Sequence, residues 1–227
     1  MTYLNAGCGR IILPGAKPAH HQLIPDEVYG IQEWCNVDRI PNPGVNKVID
    51  LFRYPWDLED DQFDGAILSH VAEHIPHEIN TGVANKGSLH YERYHALQDG
   101  FFAFFHELWR VMKAGAVLHL ISPYAMCSDS FIDPTHTRYL MPQTFHYLVP
   151  DANAPFEYAI GSQRWKINAQ TYGFSPYLND ALSADQLMRK LPTQEMQAAY
   201  ANLMLEAHMQ TKWNMASEFY VALEVVK

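Results

Sequence analysis

The chain has 227 residues, 48% of them hydrophobic, and sets 25 acidic against 16 basic side chains for a formal charge of −9. That length suffices for one well-buried core and is short for two, so a single domain over 1–227 is expected, and the acidic balance argues against a sequence-independent grip on nucleic-acid phosphates. Cys8, Cys35 and Cys127 are scattered and odd in number, which suggests neither a disulfide framework nor a cysteine zinc site. With no secretory leader pattern and no apolar run near the roughly 20 residues that cross a bilayer, the sequence reads as a soluble, cytoplasmic protein without a membrane partner.

In chain order, a strand ending at Asn5-Ala6 runs into Gly7-Cys8-Gly9, where two glycines permit a sharp turn and close approach to a ligand. Residues 10–33 carry Pro14, Gly15, Pro18 and Pro25, so the crossover expected between parallel strands is read as a loop with one helical turn near Asp26–Ile31. A second strand, Trp34–Asp38, ends in a carboxylate of the kind that accepts ribose hydroxyls in such sheets. Asn42-Pro43-Gly44 marks a turn, then come a third strand, Lys47–Leu51, and a fourth, Phe63–His70. All four strand tips should share one edge. The missing third glycine and the late position of Asp38 count against a dinucleotide fingerprint.

Residues 76–100 are polar and read as an insertion, either a lid or a solvated variable loop. A helix starting near His90 or Asp99 runs to Met112, with Phe101, Phe104, Phe105, Leu108, Trp109 and Met112 on one buried face. Gly115 is expected to cap it. A fifth strand, Val117–Ser122, stops at Pro123. The segment 123–150 contains Asp133-Pro134-Thr135-His136-Thr137-Arg138-Tyr139, an acid, an imidazole and a guanidinium within six positions. His136, with a reference pKa near 6.5, could take a proton from an acceptor group held within about 3 Å; alternatively Asp133, His136 and Arg138 form a structural cluster. Further on, an added strand is expected near 164–169, an amphipathic helix over Thr193–Met209 with Thr193 as N-cap, and a final strand over Phe219–Val226.

The ordered set of motifs resembles class I S-adenosylmethionine (SAM)-dependent methyltransferases of the small type 11 kind found in bacteria and phages. Leu4-Asn5-Ala6-Gly7-Cys8-Gly9 is similar to that family's glycine motif, Asn36-Val37-Asp38 to its second-strand acid, Pro55–Asp64 to its approach to strand four, and Glu107-Leu108-Trp109-Arg110-Val111-Met112-Lys113-Ala114-Gly115-Ala116 to its link into strand five. The resemblance implies a Rossmann-like α/β fold: a mostly parallel sheet with an antiparallel C-terminal strand and helices on both faces. It implies SAM as cofactor and S-adenosylhomocysteine as product. Contacts would come from Asn5, Ala6, Gly7, Cys8, Gly9, Asp38, Arg39, Asp50, Leu51, Ser69 and His70, with Asp50 and Leu51 flanking adenine. The alternative is that Asp50 merely caps the turn that follows it. His70, His136 and Asp133 are the catalytic candidates, with Tyr124 and the Asp133–Tyr139 segment also facing the acceptor, and no metal is expected. Glu73 and His74 would orient their loop and cap the next helix.

The expected activity is methyl transfer to O or N of a small-molecule or sugar-like acceptor that no motif specifies. Two other readings fit the same letters. One is a noncatalytic SAM- or S-adenosylhomocysteine-binding protein with a structural or regulatory role. The other is a zinc hydrolase using His70, Glu73 and His74, which formally match H-x-x-E-H.

Overall fold

The computed structural model describes residues 1–81, 99–149, 163–174, 193–197, 200, 204 and 213–227. Nine strands are found among them: β1 (Thr2–Ala6), β2 (Glu33–Asp38), β3 (Lys47–Val48), β4 (Arg53–Tyr54), β5 (Phe63–Ser69), β6 (Asn80–Thr81), β7 (Met112–Pro123), β8 (Trp165–Phe174) and β9 (Ala216–Val225). Seven form one sheet in the order β3-β2-β1-β5-β7-β9-β8, and β4 pairs with β6 in a small separate ladder. From β3 to β7 every pairing is parallel, whereas β9 runs antiparallel to both β7 and β8. This is the expected Rossmann-like sheet with its antiparallel C-terminal strand.

Parallel strands covered on both faces read as continuous apolar runs, and β5 does so: Ala66, Ile67 and Leu68 are fully buried. Ile67 packs with Ile24, Val28 and Trp34 on one side of the sheet. Ala66 and Leu68 join the larger core on the other side. That core includes α1 (Gly100–Val111), whose N-cap Asp99 accepts the Phe101 N–H at 2.7 Å. Phe101, Phe104, Phe105 and Leu108 are buried as the periodicity predicts, and Trp109 is half-buried. The turn at Asp26–Gly30 is a 3-10 helix in the expected place.

Glu107 and Arg110 of α1 form a two-pronged pair, with Nε and one terminal nitrogen each 2.8 Å from a Glu107 oxygen. Glu107 also accepts the Trp56 N–H at 2.7 Å, and Arg110 donates to the carbonyls of Trp56 and Leu58 and to Asp60. The motif residues thus fasten the 55–60 turn onto the helix.

Two expectations are corrected. Gly115 does not cap α1: the helix ends at Val111 with Met112 already extended, and Gly115 adopts φ +76° inside β7. It lies where Phe63 pairs with Met112 but Gly65 with Val117, so its left-handed backbone absorbs the extra residues of a bulge. The third strand is shorter than expected, ending at Val48, because Asp50 turns the chain by accepting the Phe52 N–H at 3.0 Å. In the last third, the Thr193 hydroxyl accepts the Met196 N–H at 3.2 Å and 194–197 are helical. Most of that expected helix, and most of the expected insertion at 82–98, lie outside the described residues.

Candidate functional site

A cleft of about 590 Å³ opens beyond the C-terminal ends of β1, β2 and β5, and its wall includes Gly7, Gly9, Asp38, Asp50, Leu51 and His70. In this sheet β1 is flanked by β2 on one side and β5 on the other, which is the reversal point where open α/β sheets bind ligands.

The glycine turn is built by three amide bonds. Gly7 and Cys8 donate to the Val37 carbonyl at 2.8 and 3.0 Å, and Gly9 donates to Asp38 Oδ2 at 2.8 Å. The other Asp38 oxygen accepts the Ile40 N–H at 2.9 Å. Gly7 and Gly9 have φ of +70° and +54°. A Cβ on Gly9 would meet nothing within 4 Å, while one on Gly7 would lie 2.5 Å from a Val71 methyl. The turn therefore presents bare backbone to the cleft while packing tightly behind.

At the opposite end, His70 occupies left-handed backbone (φ +54°) and its N–H binds the Ile121 carbonyl at 3.0 Å. Its ring lies between two carboxylates: Nδ1 is 3.5 Å from Glu73 and Nε2 is 3.5 Å from Glu218. Burial alone would depress the imidazole pKa, but the hydrogen-bonding and charge of Glu218 and Glu73 together outweigh it and raise it to about 9. His70 is therefore a cation at neutral pH, and the pairing with Glu218, 148 positions away on β9, has no local signal in the sequence.

The segment from Asp133 to Tyr139 is strapped to the turn Ala72–His74. The amides of Thr137 and Arg138 both donate to the Glu73 carbonyl, at 2.9 and 3.0 Å. Arg138 reaches past it to the carbonyls of Ile75 and Pro76 and pairs with the helix cap Asp99 at 2.7 Å, so this guanidinium joins the loop to α1. His136 Nδ1 lies 2.9 Å from the Ser130 carbonyl, and its Nε2 is 3.9 Å from Asp133. Hydrogen bonds from the Thr135 side chain and amide hold the Asp133 carboxyl below the usual range.

The expected site residues thus separate into two groups. Gly7, Gly9, Asp38, Arg39, Asp50, Leu51 and His70 line the cleft. Asn5, Ala6, Cys8 and Ser69 stand behind it: Asn5 is buried against Asn36 at 2.8 Å, and Ala6 is in the core. Cys8 is buried with its thiol pKa pushed up to about 11, chiefly by desolvation. The Ser69 hydroxyl bonds His21 Nε2 at 2.7 Å, and the His21 ring also meets the Tyr29 hydroxyl. Tyr124 is buried against Tyr172. Among the described residues Glu73 and His74 cap no helix: Glu73 accepts the Ser122 hydroxyl at 3.0 Å, and His74 bonds Thr135. The grouping His70, Glu73 and His74 of H-x-x-E-H does not converge, since His74 faces His136 with ring centroids 4.8 Å apart. Thr135, from the Asp133–Tyr139 segment, lines the cleft, and so do Arg10, Asn42 and Phe52, which were not expected there. These three come from loops, where no periodicity reports orientation.

No protein-family model matches the chain, and no curated protein matches it in sequence. Among solved structures, it is similar to a SAM-dependent methyltransferase from Archaeoglobus fulgidus, with 17% identity and a TM-score of 0.49 over 98% of this chain and 85% of that one. It is similar to a complex of the Haloferax volcanii Trm112 methyltransferase activator with a putative methyltransferase, at 11% identity, TM-score 0.47, and coverage of 100% and 83%. It is also similar to loganic acid methyltransferase with S-adenosylhomocysteine, at 9% identity, TM-score 0.48, and coverage of 100% and 84%. At these identities and scores the likeness adds nothing to the site, and the fold assignment stands on the strand order itself.

Proposed function

We propose that the chain is a SAM-dependent methyltransferase acting on O or N of a small acceptor. One observation carries the reading: the bare Gly9 turn and the Asp38 carboxylate are bonded to each other and face the same cleft at the sheet's reversal point. That pairing suits an adenosyl cofactor, because the carboxylate can accept ribose hydroxyls where the backbone admits close approach. The volume lies within the range of small-molecule sites, and Asp50 and Leu51 stand at the next strand tip, where adenine would lie.

SAM, when bound, supplies a methyl group already activated on a sulfonium. The residues' task is then alignment, which can contribute about 7–11 kcal/mol of the barrier. His70, His74 and Thr135 bound the end of the cleft away from Asp38 and are proposed to meet the acceptor. His70, held charged by two carboxylates, is suited to orienting an acceptor oxygen by donating a hydrogen bond rather than to taking its proton. His136 and Asp133 lie behind His74 and Thr135 and would act on the acceptor through them. The protonated state of His70 also favours a second reading, in which the chain binds SAM or its product without turnover.

Calorimetric titration with SAM and S-adenosylhomocysteine, on protein freed of copurified cofactor, tests the site. Micromolar binding supports both readings, and transfer of a labelled methyl group in an acceptor screen separates them. Folded protein that binds neither compound overturns both.

A further inference from the structure

The side chains of Glu73, His74 and His136 converge. One donor atom from each lies within 4.8 Å of the others, although the three come from a turn after β5 and a loop some 60 residues later. We propose that they form a binding site for a divalent transition-metal ion of the zinc class, held through Nε2 of the two histidines and a carboxylate oxygen of Glu73.

The tautomers are already those a metal needs. A carbonyl only accepts, so the His136 Nδ1 facing the Ser130 carbonyl at 2.9 Å carries the proton. The Thr135 hydroxyl spends its hydrogen on Asp133 at 2.7 Å, and therefore accepts from His74 Nδ1 at 3.1 Å, with the Thr135 carbonyl 3.3 Å away. With Nδ1–H spent in this way, Nε2 is the atom of each ring left to face an ion. Ligating histidines are oriented in this way, with the distal N–H given to a backbone carbonyl or a neighbouring oxygen. The carboxylate makes an independent argument. Glu73 is 2% exposed; one oxygen takes the Ser122 hydroxyl, and the other is buried with the His70 ring 3.5 Å away on one side, which leaves it a lone pair for an ion.

The frame is rigid where it matters. The Glu73 carbonyl receives the amides of Thr137 and Arg138, which locks the His136 loop to the turn bearing Glu73 and His74. Tetrahedral ligands at about 2.0–2.1 Å from zinc lie roughly 3.3 Å apart, so a small inward shift of the three side chains completes the site. Two imidazoles and a carboxylate suit zinc, cobalt, iron or nickel rather than magnesium or calcium. His74 and Thr135 line the cleft, so an ion here would face its interior with a position open to a ligand oxygen. That last consequence rests on the methyl-transfer reading; the ion site does not.

The test uses tag-free, chelator-treated protein titrated with Zn2+ by calorimetry and with Co2+ by visible absorption. One ion per chain is expected, with an absorption spectrum typical of nitrogen and oxygen donors. His74→Ala and His136→Ala should each lower affinity by at least ~100-fold, beyond the loss seen when only an outer partner is removed. His146→Ala, at an exposed position elsewhere, should leave it unchanged. Thermal unfolding with and without Zn2+ checks the variants: the wild-type midpoint should rise with the ion, and that of the folded double variant His74→Ala/His136→Ala should not. Absence of stoichiometric binding by folded wild-type protein, or binding that survives the double variant, overturns the proposal. Neither result touches SAM affinity, which is measured separately.

Discussion

The Gly9 amide donates to Asp38 Oδ2 at 2.8 Å, so the carboxylate expected to hold a ribose is also the latch of the glycine turn. Asp38→Ala removes both functions and should weaken SAM binding by about 1.5–3 kcal/mol, the worth of hydrogen bonds to a charged group. Asp38→Asn keeps an oxygen for one partner and should lose less. Calorimetry reads both, and an Asp38→Ala protein with wild-type affinity would remove this residue from the site.

Gly7→Ala places a methyl 2.5 Å from Val71 at φ +70°. The left-handed backbone should cost on the order of 1–3 kcal/mol, with the collision added. Val71→Ala in the same chain should relieve the collision and leave the backbone strain. Urea unfolding of the two single variants and the double should therefore show a less-than-additive loss. Strict additivity would mean that Val71 is not what the turn packs against.

Breaking the Glu107–Arg110 fork should be expensive. Glu107 is fully buried, and removing its partner leaves an uncompensated charge, at about 3–5 kcal/mol. Arg110→Ala is expected to unfold at much lower denaturant than wild type. Arg110→Lys should recover only part of the difference, because an ammonium cannot span both oxygens.

His119 supplies a pH dependence away from the cleft. Burial lowers its imidazole pKa to about 4, against a small opposing effect of Glu27, and its Nδ1 lies 2.8 Å from the Tyr220 hydroxyl. The unfolded chain binds a proton near 6.5 that the folded chain refuses until about pH 4. Stability is thus complete above the unfolded value, falls as pH drops from about 6.5 to about 4, and levels below that. The full loss is on the order of 3 kcal/mol. His119→Gln should flatten that part of the stability curve; an unchanged slope would assign the acid sensitivity to other groups.

The sequence discloses what local chemistry enforces. Alternation of strand and turn signals locates the strands of the sheet, and the i, i+3, i+4 aromatics of α1 identify its buried face. Gly7, Gly9 and Asp38 are legible because a strand tip in a parallel sheet has a fixed place at one edge. What the sequence hides is set by pairings across long loops. Asn5 and Ser69 look like ligand contacts by position, but partners at Asn36 and His21 turn them inward. His70 looks like a catalytic candidate by position, but Glu218 on a distant strand joins Glu73 in holding it charged. Gly115 follows a helix closely enough to resemble its cap, whereas the register of β5 against β7 makes it a bulge.

The place of β9 has a consequence for how the molecule is made. It fills the gap between β7 and β8, and among the described strands β8 pairs with no other. On the ribosome, the block from β3 to β7 can assemble once residue 123 has emerged, yet the outer edge of β7 stays unfilled until residues 216–225 follow. At common synthesis rates those roughly 100 residues take on the order of 5–20 s. Throughout that interval the nascent chain presents an open apolar strand edge, the kind of surface on which chains aggregate. Chaperone demand should therefore fall on the second half of translation.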